Sequence, residues 1–194
     1  ISLRNTFRLE NTEIMKNLVI GQSGGPTAVI NASLYGAVKA FRESGADGHV
    51  LGMINGIEGF LADHVMDLST DLSDKELELL KLTPAAYLGS CRYKLPADLD
   101  SEVYPAIFDN FREMNIGYFL YVGGNDSMDT VDKLSRYAEK IGSDVKFIGI
   151  PKTIDNDLVL TDHTPGFGSA AKYVASTVRE IVLDASVYQQ RSVT

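Results

Sequence analysis

Short apolar runs alternate along this chain with longer stretches in which apolar positions recur every three or four residues. Residues 17–21 read as a buried strand. Residues 27–44 place Val29, Ile30, Leu34, Ala37, Val38 and Phe41 on one helical face before Gly45. Residues 50–54 repeat the short-strand pattern, and Ser73 with Glu76 makes a capping box for a helix that ends near Leu80. The spacing predicts a helix over 103–114 with Pro105 in its first turn, then a strand over 118–122 that stops at Gly123-Gly124. A helix over 127–141, a strand over 145–150 stopped by Pro151, and a long helix over 169–185 complete the order. Strand–helix alternation with glycine-rich turns predicts a three-layer αβα sandwich, Rossmann-like, with a mostly parallel sheet. Ligands of such sheets bind beyond the carboxyl ends of the strands.

Composition narrows the possible partners. Eighteen Lys and Arg against 26 Asp and Glu leave a net charge of −8 over 194 residues, with no basic run. That balance speaks against nucleic acid and anionic membranes as main partners, and no apolar run approaches the roughly 20 residues of a membrane helix. Cys91 is the sole cysteine, so an internal disulfide framework is excluded and a reducing compartment fits. Three scattered histidines and one cysteine offer no structural zinc set. Residues 1–14 carry neither clean periodicity nor a signal-peptide pattern, and Met15 directly precedes the first strand. The expectation is an upstream or vector-derived extension over 1–14. Residues 192–194 look like the opening of a further strand, so 15–194 is expected to be a domain cut before its protein ends.

Three motifs fall at predicted strand ends. Gly21-Gln-Ser-Gly-Gly-Pro26 joins a strand to a helix. Its glycines permit close backbone approach, and free N–H groups at the helix start attract phosphate, although a plain tight turn explains the same residues. It also matches G-x-S-x-G, a nucleophile elbow with Ser23 as nucleophile, but without the earlier strands that build an oxyanion hole. Gly123-Gly-Asn-Asp-Ser127 could cap a helix or hold a phosphate and its Mg²⁺. Pro151-Lys-Thr-Ile-Asp-Asn-Asp157 sets Asp155 and Asp157 beside Lys152. A solvated acidic loop is one reading; a general base beside a phosphate-holding cation is the stronger one. Arg92 is either a phosphate contact or a surface group, and Arg191 either an anion contact or a salt-bridge partner. His163 beside Asp162 reads as a loop residue, and Cys91 has no activating neighbour in sequence.

In order, Ser23-Gly-Gly25, Gly89-Ser-Cys-Arg-Tyr93, Gly123-Gly-Asn-Asp-Ser127, Pro151-Lys-Thr-Ile-Asp-Asn-Asp157, Gly166-Phe-Gly-Ser-Ala170 and Tyr188-Gln-Gln-Arg191 resemble the phosphofructokinase family from residue 16 to 194. The resemblance implies transfer of a phosphoryl group to the 1-hydroxyl of fructose 6-phosphate, reversibly and in glycolysis, by a cytoplasmic homo-oligomer using Mg²⁺. Family chains are longer, and most of the sugar-phosphate site belongs to a second α/β domain, so the chain alone is expected to be inactive. By resemblance Gly24, Gly25, Arg92, Gly124, Ser127 and Lys152 bind the donor, and Asp155 is the general base. Thr153, Asp155, Asp157 and Arg191 meet the substrate, the last often across a subunit interface. Asn125 and Asp126 face the metal.

The donor follows from two positions. Family members that use ATP typically read GGDGS and PGTIDND, and pyrophosphate users read GGDDS and PKTIDND. Asp126 and Lys152 are the pyrophosphate pair. A carboxylate 4 Å from an α-phosphate would raise the energy by about 4 kcal/mol at an effective dielectric near 20, whereas Lys152 can neutralise a compact diphosphate. Pyrophosphate is therefore the expected donor and ATP the alternative. Asn125 departs from the family's metal-binding Asp and offers an oxygen without charge. That departure keeps a non-catalytic regulatory subunit open as a rival reading, and a serine hydrolase at Ser23 is a second.

Overall fold

The computed structural model describes residues 16–188. The expected extension over 1–14, the strand opening at 192–194 and Arg191 all lie outside the described residues. Eleven elements follow in order among the described residues: β1 (Asn17–Gln22), α1 (Ile30–Glu43), β2 (Val50–Met53), α2 (Gly56–Leu61), β3 (Val65–Asp67), α3 (Asp74–Leu80), α4 (Val103–Glu113), β4 (Ile116–Gly123), α5 (Asn125–Ile141), β5 (Lys146–Pro151) and α6 (Phe167–Ser186). The sheet order is β3-β2-β1-β4-β5. All neighbours are parallel except β3, which runs antiparallel to β2 at the edge.

The alternation along β1 divides the core. Leu18 and Ile20 face a cluster with Ile30, Leu34 and Val38 of α1 and Leu77 and Leu80 of α3. Val19 faces the opposite cluster, with Ile57, Phe60, Phe108, Phe111, Phe119 and Leu134. Phe111 is the hub of that second layer, its ring centroid lying 5.1–5.6 Å from those of Phe108, Phe60 and Phe119. The outcome is the expected three-layer sandwich.

Several boundaries differ from the sequence reading, each for a local reason. Residues 27–29 form a turn in which Ile30 N–H donates to the Thr27 carbonyl at 3.2 Å, so α1 starts at 30 and not 27. Helix α5 starts at Asn125 and not Ser127, because Gly124 in extended conformation serves as its N-cap. Helix α6 starts two residues before Ser169, after Gly166 at φ +104°. Pro151 does not stop β5; it pairs with Gly123 on the sheet's outermost strand, where a missing N–H is tolerated. The short elements α2 and β3 were not anticipated. The capping box forms as read, with Glu76 N–H donating to Ser73 Oγ at 3.3 Å and Ser73 N–H to Glu76 Oε2 at 2.9 Å.

Helix α6 stands apart. None of its residues is buried, and Tyr173, Val174, Val178, Val182 and Leu183 are exposed. Its anchor is at its start, where Thr153 N–H donates to the Pro165 carbonyl at 3.0 Å and Thr153 bridges Gly166.

Candidate functional site

The three motif loops converge where β1, β4 and β5 end side by side. Ser23 N–H donates to the Val122 carbonyl, and Lys152 N–H to the Gly123 carbonyl, each at 2.9 Å. A fourth segment, residues 88–95, is bound to the first loop. Gly24 N–H and Ser23 Oγ both donate to the Cys91 carbonyl at 3.2 Å, and Ser90 Oγ donates to the Gly24 carbonyl at 2.6 Å. Gly24 sits at φ +75°, a conformation that favours glycine. Gly123 has no room for a side chain, because a Cβ there would lie 2.0 Å from Ser127 Oγ and 3.2 Å from the Ser23 carbonyl oxygen.

Two polar cavities open at this junction. The first, about 270 Å³, is lined by Gly24, Gly25, Arg92, Gly124, Ser127 and Lys152, all six of the residues expected to bind a donor, and by Asn125 and Asp126. The second, about 230 Å³, is lined by Thr27, Thr153 and Asp155 and shares Gly25, Gly124, Asn125 and Lys152 with the first. Lys152 therefore belongs to both. It is only 6% exposed, and its ammonium donates to the Gly25 carbonyl. Burial, and then the nearby Arg92 guanidinium, push its pKa below the ordinary lysine value. A buried cation beside a second cation is a site that an anion relieves.

Asp155 is exposed on the second cavity, its N–H donating to Thr153 Oγ1 at 3.0 Å. Asn156, at φ +54°, pins the loop. Its Nδ2 donates to the Asp162 carbonyl at 3.1 Å, and its Oδ1 accepts from Thr164 N–H at 2.9 Å. Thr27 Oγ1, buried at the edge of the second cavity, is the one buried side-chain polar atom among the described residues without a hydrogen-bond partner.

The remaining expected residues divide. Asn125 is the first residue of α5, and its Nδ2 donates to Asp157 Oδ2 at 3.2 Å. Asp157 reaches the site through that contact and lines neither cavity. Asp126 pairs with Lys94 at 3.1 Å. The rival reading of Ser23 as a nucleophile finds no support: the residue is buried, and its hydroxyl donates to a backbone carbonyl where a general base would have to stand. His163 stacks on Phe167 at 6.1 Å and behaves as a loop residue. Burial, and then the adjacent Cys91, raise the Tyr121 phenol well above its usual pKa; its hydroxyl lies 3.6 Å from Cys91 Sγ.

Two residues important to the site were missed by sequence reasoning. Gln22 and Asn31 are fully buried. Gln22 Oε1 accepts from Leu88 N–H at 2.9 Å, and Asn31 Oδ1 from Tyr87 N–H at 2.8 Å and Gln22 Nε2 at 3.0 Å. They fix the 83–88 stretch that leads to Arg92. A polar residue closing the apolar strand β1 and another in the first turn of the apolar helix α1 were the available signal. A larger hollow of about 420 Å³ lies at the other end of the sheet, floored by Phe108, Phe111 and Ile116; its Lys16 is already ion-paired with Asp144.

The phosphofructokinase family model matches residues 17–193. The chain belongs to the phosphofructokinase family. The pyrophosphate–fructose 6-phosphate 1-phosphotransferase of Halomonas elongata is 46% identical over 171 residues, covering 87% of this chain and 40% of that protein. The crystal structure of the pyrophosphate-dependent phosphofructokinase from Nitrosospira multiformis superposes with a TM-score of 0.81 at 42% identity, over 88% of this chain and 42% of that one. An ATP-dependent 6-phosphofructokinase of Yersinia pestis is 28% identical over 181 residues, 93% of this chain and 51% of that protein. This phosphofructokinase-family chain thus spans about 40% of the length of the pyrophosphate-dependent relatives it matches.

Among the described residues no group of three His, Cys, Asp or Glu side chains could hold a metal ion. The donor set fits Mg²⁺ all the same, because that ion is commonly held by one or two protein oxygens with the rest from phosphate and water. Asn125 Oδ1 and the neighbouring Asp157 carboxylate supply such oxygens beside the cavities, whereas Asp126 is engaged by Lys94.

Proposed function

We propose that this chain is the donor-binding half of a pyrophosphate-dependent phosphofructokinase, which transfers a phosphoryl group from pyrophosphate to the 1-hydroxyl of fructose 6-phosphate. The observation that carries the reading is Lys152, a buried ammonium shared by two adjoining cavities. Phosphoryl transfer calls for alignment and charge neutralisation more than for covalent help, and a cation between donor and acceptor serves both ends of the transfer.

In this reading pyrophosphate occupies the first cavity. Backbone N–H groups around Gly24, Gly25 and Gly124, together with the start of α5 and Ser127, receive its oxygens. Arg92 and Lys152 offset its charge. The sugar's 1-hydroxyl enters the second cavity beside Thr153. Asp155 takes the hydroxyl proton as the oxygen attacks phosphorus and the bond to the leaving phosphate breaks. Asn125 and Asp157 would hold Mg²⁺, which supplies neutralisation of the phosphate oxygens. Asp126 and Lys152 together favour the compact donor. Most of the sugar-phosphate contacts, Arg191 among them, are proposed to require the rest of a longer, cytoplasmic, homo-oligomeric glycolytic enzyme.

The test is fructose 1,6-bisphosphate formation by the protein at its natural full length, with Mg²⁺ and either pyrophosphate or ATP. Turnover with pyrophosphate is expected, and Asp155→Asn should lower it about 10²–10⁴-fold while leaving the pyrophosphate KM within a factor of two. Turnover with ATP alone would overturn the donor assignment, and full activity of the Asp155 variant would overturn its role as base. Asn125 favours one other reading, a regulatory subunit without catalysis; silence with both donors would select it.

A further inference from the structure

The ion pair between Lys94 and Asp126 ties the 88–95 segment, whose Cys91, Arg92 and Tyr93 line the first cavity, to α5, whose Asp126 lines it; Lys94 itself lies just outside that lining. Lys94 follows Arg92 and Tyr93 on the 88–95 segment, and Asp126 is in the first turn of α5. Both backbones are fixed. The Cys91 carbonyl accepts from Ser23 and Gly24. On the other side of Lys94, Leu95 is buried, and its carbonyl accepts from Lys133 Nζ at 3.0 Å. The Asp126 carbonyl accepts from Thr130 Oγ1 at 3.1 Å. Both side chains are exposed, and they meet 3.1 Å apart where Asp126 borders the cavity.

We infer that Lys94 is a donor-selecting residue, holding the Asp126 carboxylate across the rim of the pyrophosphate cavity so that a compact diphosphate is admitted and a nucleoside extension is not. The inference rests on the pyrophosphate reading above. An unpaired carboxylate at this rim would repel every phosphate donor. Paired with Lys94 it is nearly neutral toward a small anion that passes inside the rim, yet the two side chains still fill the exit a longer donor requires. Neither residue's sequence neighbours reveal this, because the partners are 32 positions apart.

The two ends of the pair consequently predict different phenotypes. Lys94→Ala leaves an unpaired carboxylate and should raise the pyrophosphate KM about two- to fivefold, the range of an exposed ion pair, with kcat unchanged. Asp126→Ala leaves an unpaired ammonium and an open rim and should make ATP turnover measurable. The decisive experiment measures kcat and KM for both donors at low and high salt, in the protein at its natural full length. It compares wild type, Lys94→Ala, Lys94→Arg, Asp126→Ala and the double variant. The expected result is a KM effect of Lys94→Ala that Lys94→Arg rescues, that high salt erases, and that disappears in the Asp126→Ala background. A Lys94→Ala protein with wild-type KM, or with the same KM rise in both backgrounds, overturns the inference while leaving the pyrophosphate reading intact. A wild-type protein that uses ATP and ignores pyrophosphate overturns both.

Discussion

Replacing Lys152 by methionine should stabilise the folded protein and disable its site at once. The ammonium is 6% exposed, donates to one backbone carbonyl and stands near Arg92, and its lowered pKa means that the fold disfavours its charge. Methionine keeps the length and flexibility of the stem, fills similar volume and removes the charge. The lost hydrogen bond leaves Gly25, partly exposed and on the wall of both cavities, able to turn to water. Setting the relief of a buried charge against that bond gives a net gain of about 1–2 kcal/mol. At roughly 2–4 °C per kcal/mol for a protein of this size, the melting temperature should rise by about 2–8 °C. With pyrophosphate present the order should reverse. Wild type gains about 2.7 kcal/mol at a ligand concentration of one hundred times Kd, and the variant gains little. Thermal unfolding of both proteins, with and without pyrophosphate, reads all four numbers. A variant that melts lower without ligand, or is stabilised by pyrophosphate as much as wild type, would refute the assignment of Lys152 as a strained cation kept for an anion.

Three further outcomes follow from the same geometry. Between the lowered pKa of Lys152 and the ordinary lysine value near 10.5, the unfolded chain holds a proton that the folded chain has released. Stability should therefore rise with pH in that window, and the Lys152→Met protein should lack that component in denaturant titrations; an identical slope would remove Lys152 as its source. Asn125→Asp adds a carboxylate beside Asp157 and should tighten Mn²⁺ binding about tenfold, as read by electron paramagnetic resonance, and an unchanged affinity would place the metal elsewhere. Gly123→Ala drives a methyl group to 2.0 Å from Ser127 Oγ and should lower stability by about 1–3 kcal/mol in urea. A wild-type midpoint would mean the first turn of α5 retreats freely.

Much of this fold was legible because β1, β4, α1 and α5 carry strong, long patterns that the core then uses as written. What escaped was short. Helix α2 has six residues and opens on Gly56 after Asn55 at φ +59°, and β3 has three half-buried residues held by pairing with β2. Such elements exist because a neighbour supplies their hydrogen bonds, a fact no local window contains. The site divides in the same way. Loop positions at strand ends were readable from glycines and turn chemistry, and the two cavities are lined by residues of all three loops, although Asp157 lines neither. The burial of Lys152 was not readable, since a lysine directly after a strand reads as a solvated turn residue; it arises because the turn after β5 folds back against Gly25. The contact of Asp126 with Lys94 was not readable either, because the partners are 32 positions apart.

Helix α6 carries a consequence for how the molecule opens. Its twenty residues span about 30 Å, and within residues 16–188 they rest on their own hydrogen-bond ladder and on the anchor around Thr153 and Gly166. A helix of that length without a packed face is only marginally stable in water. Within residues 16–188 the central sheet is packed on both faces, whereas α6 buries none of its residues. Because the anchor of α6 includes Thr153, beside the buried Lys152 and the exposed Asp155, whatever clamps α6 in place also sets how firmly the second cavity keeps its shape.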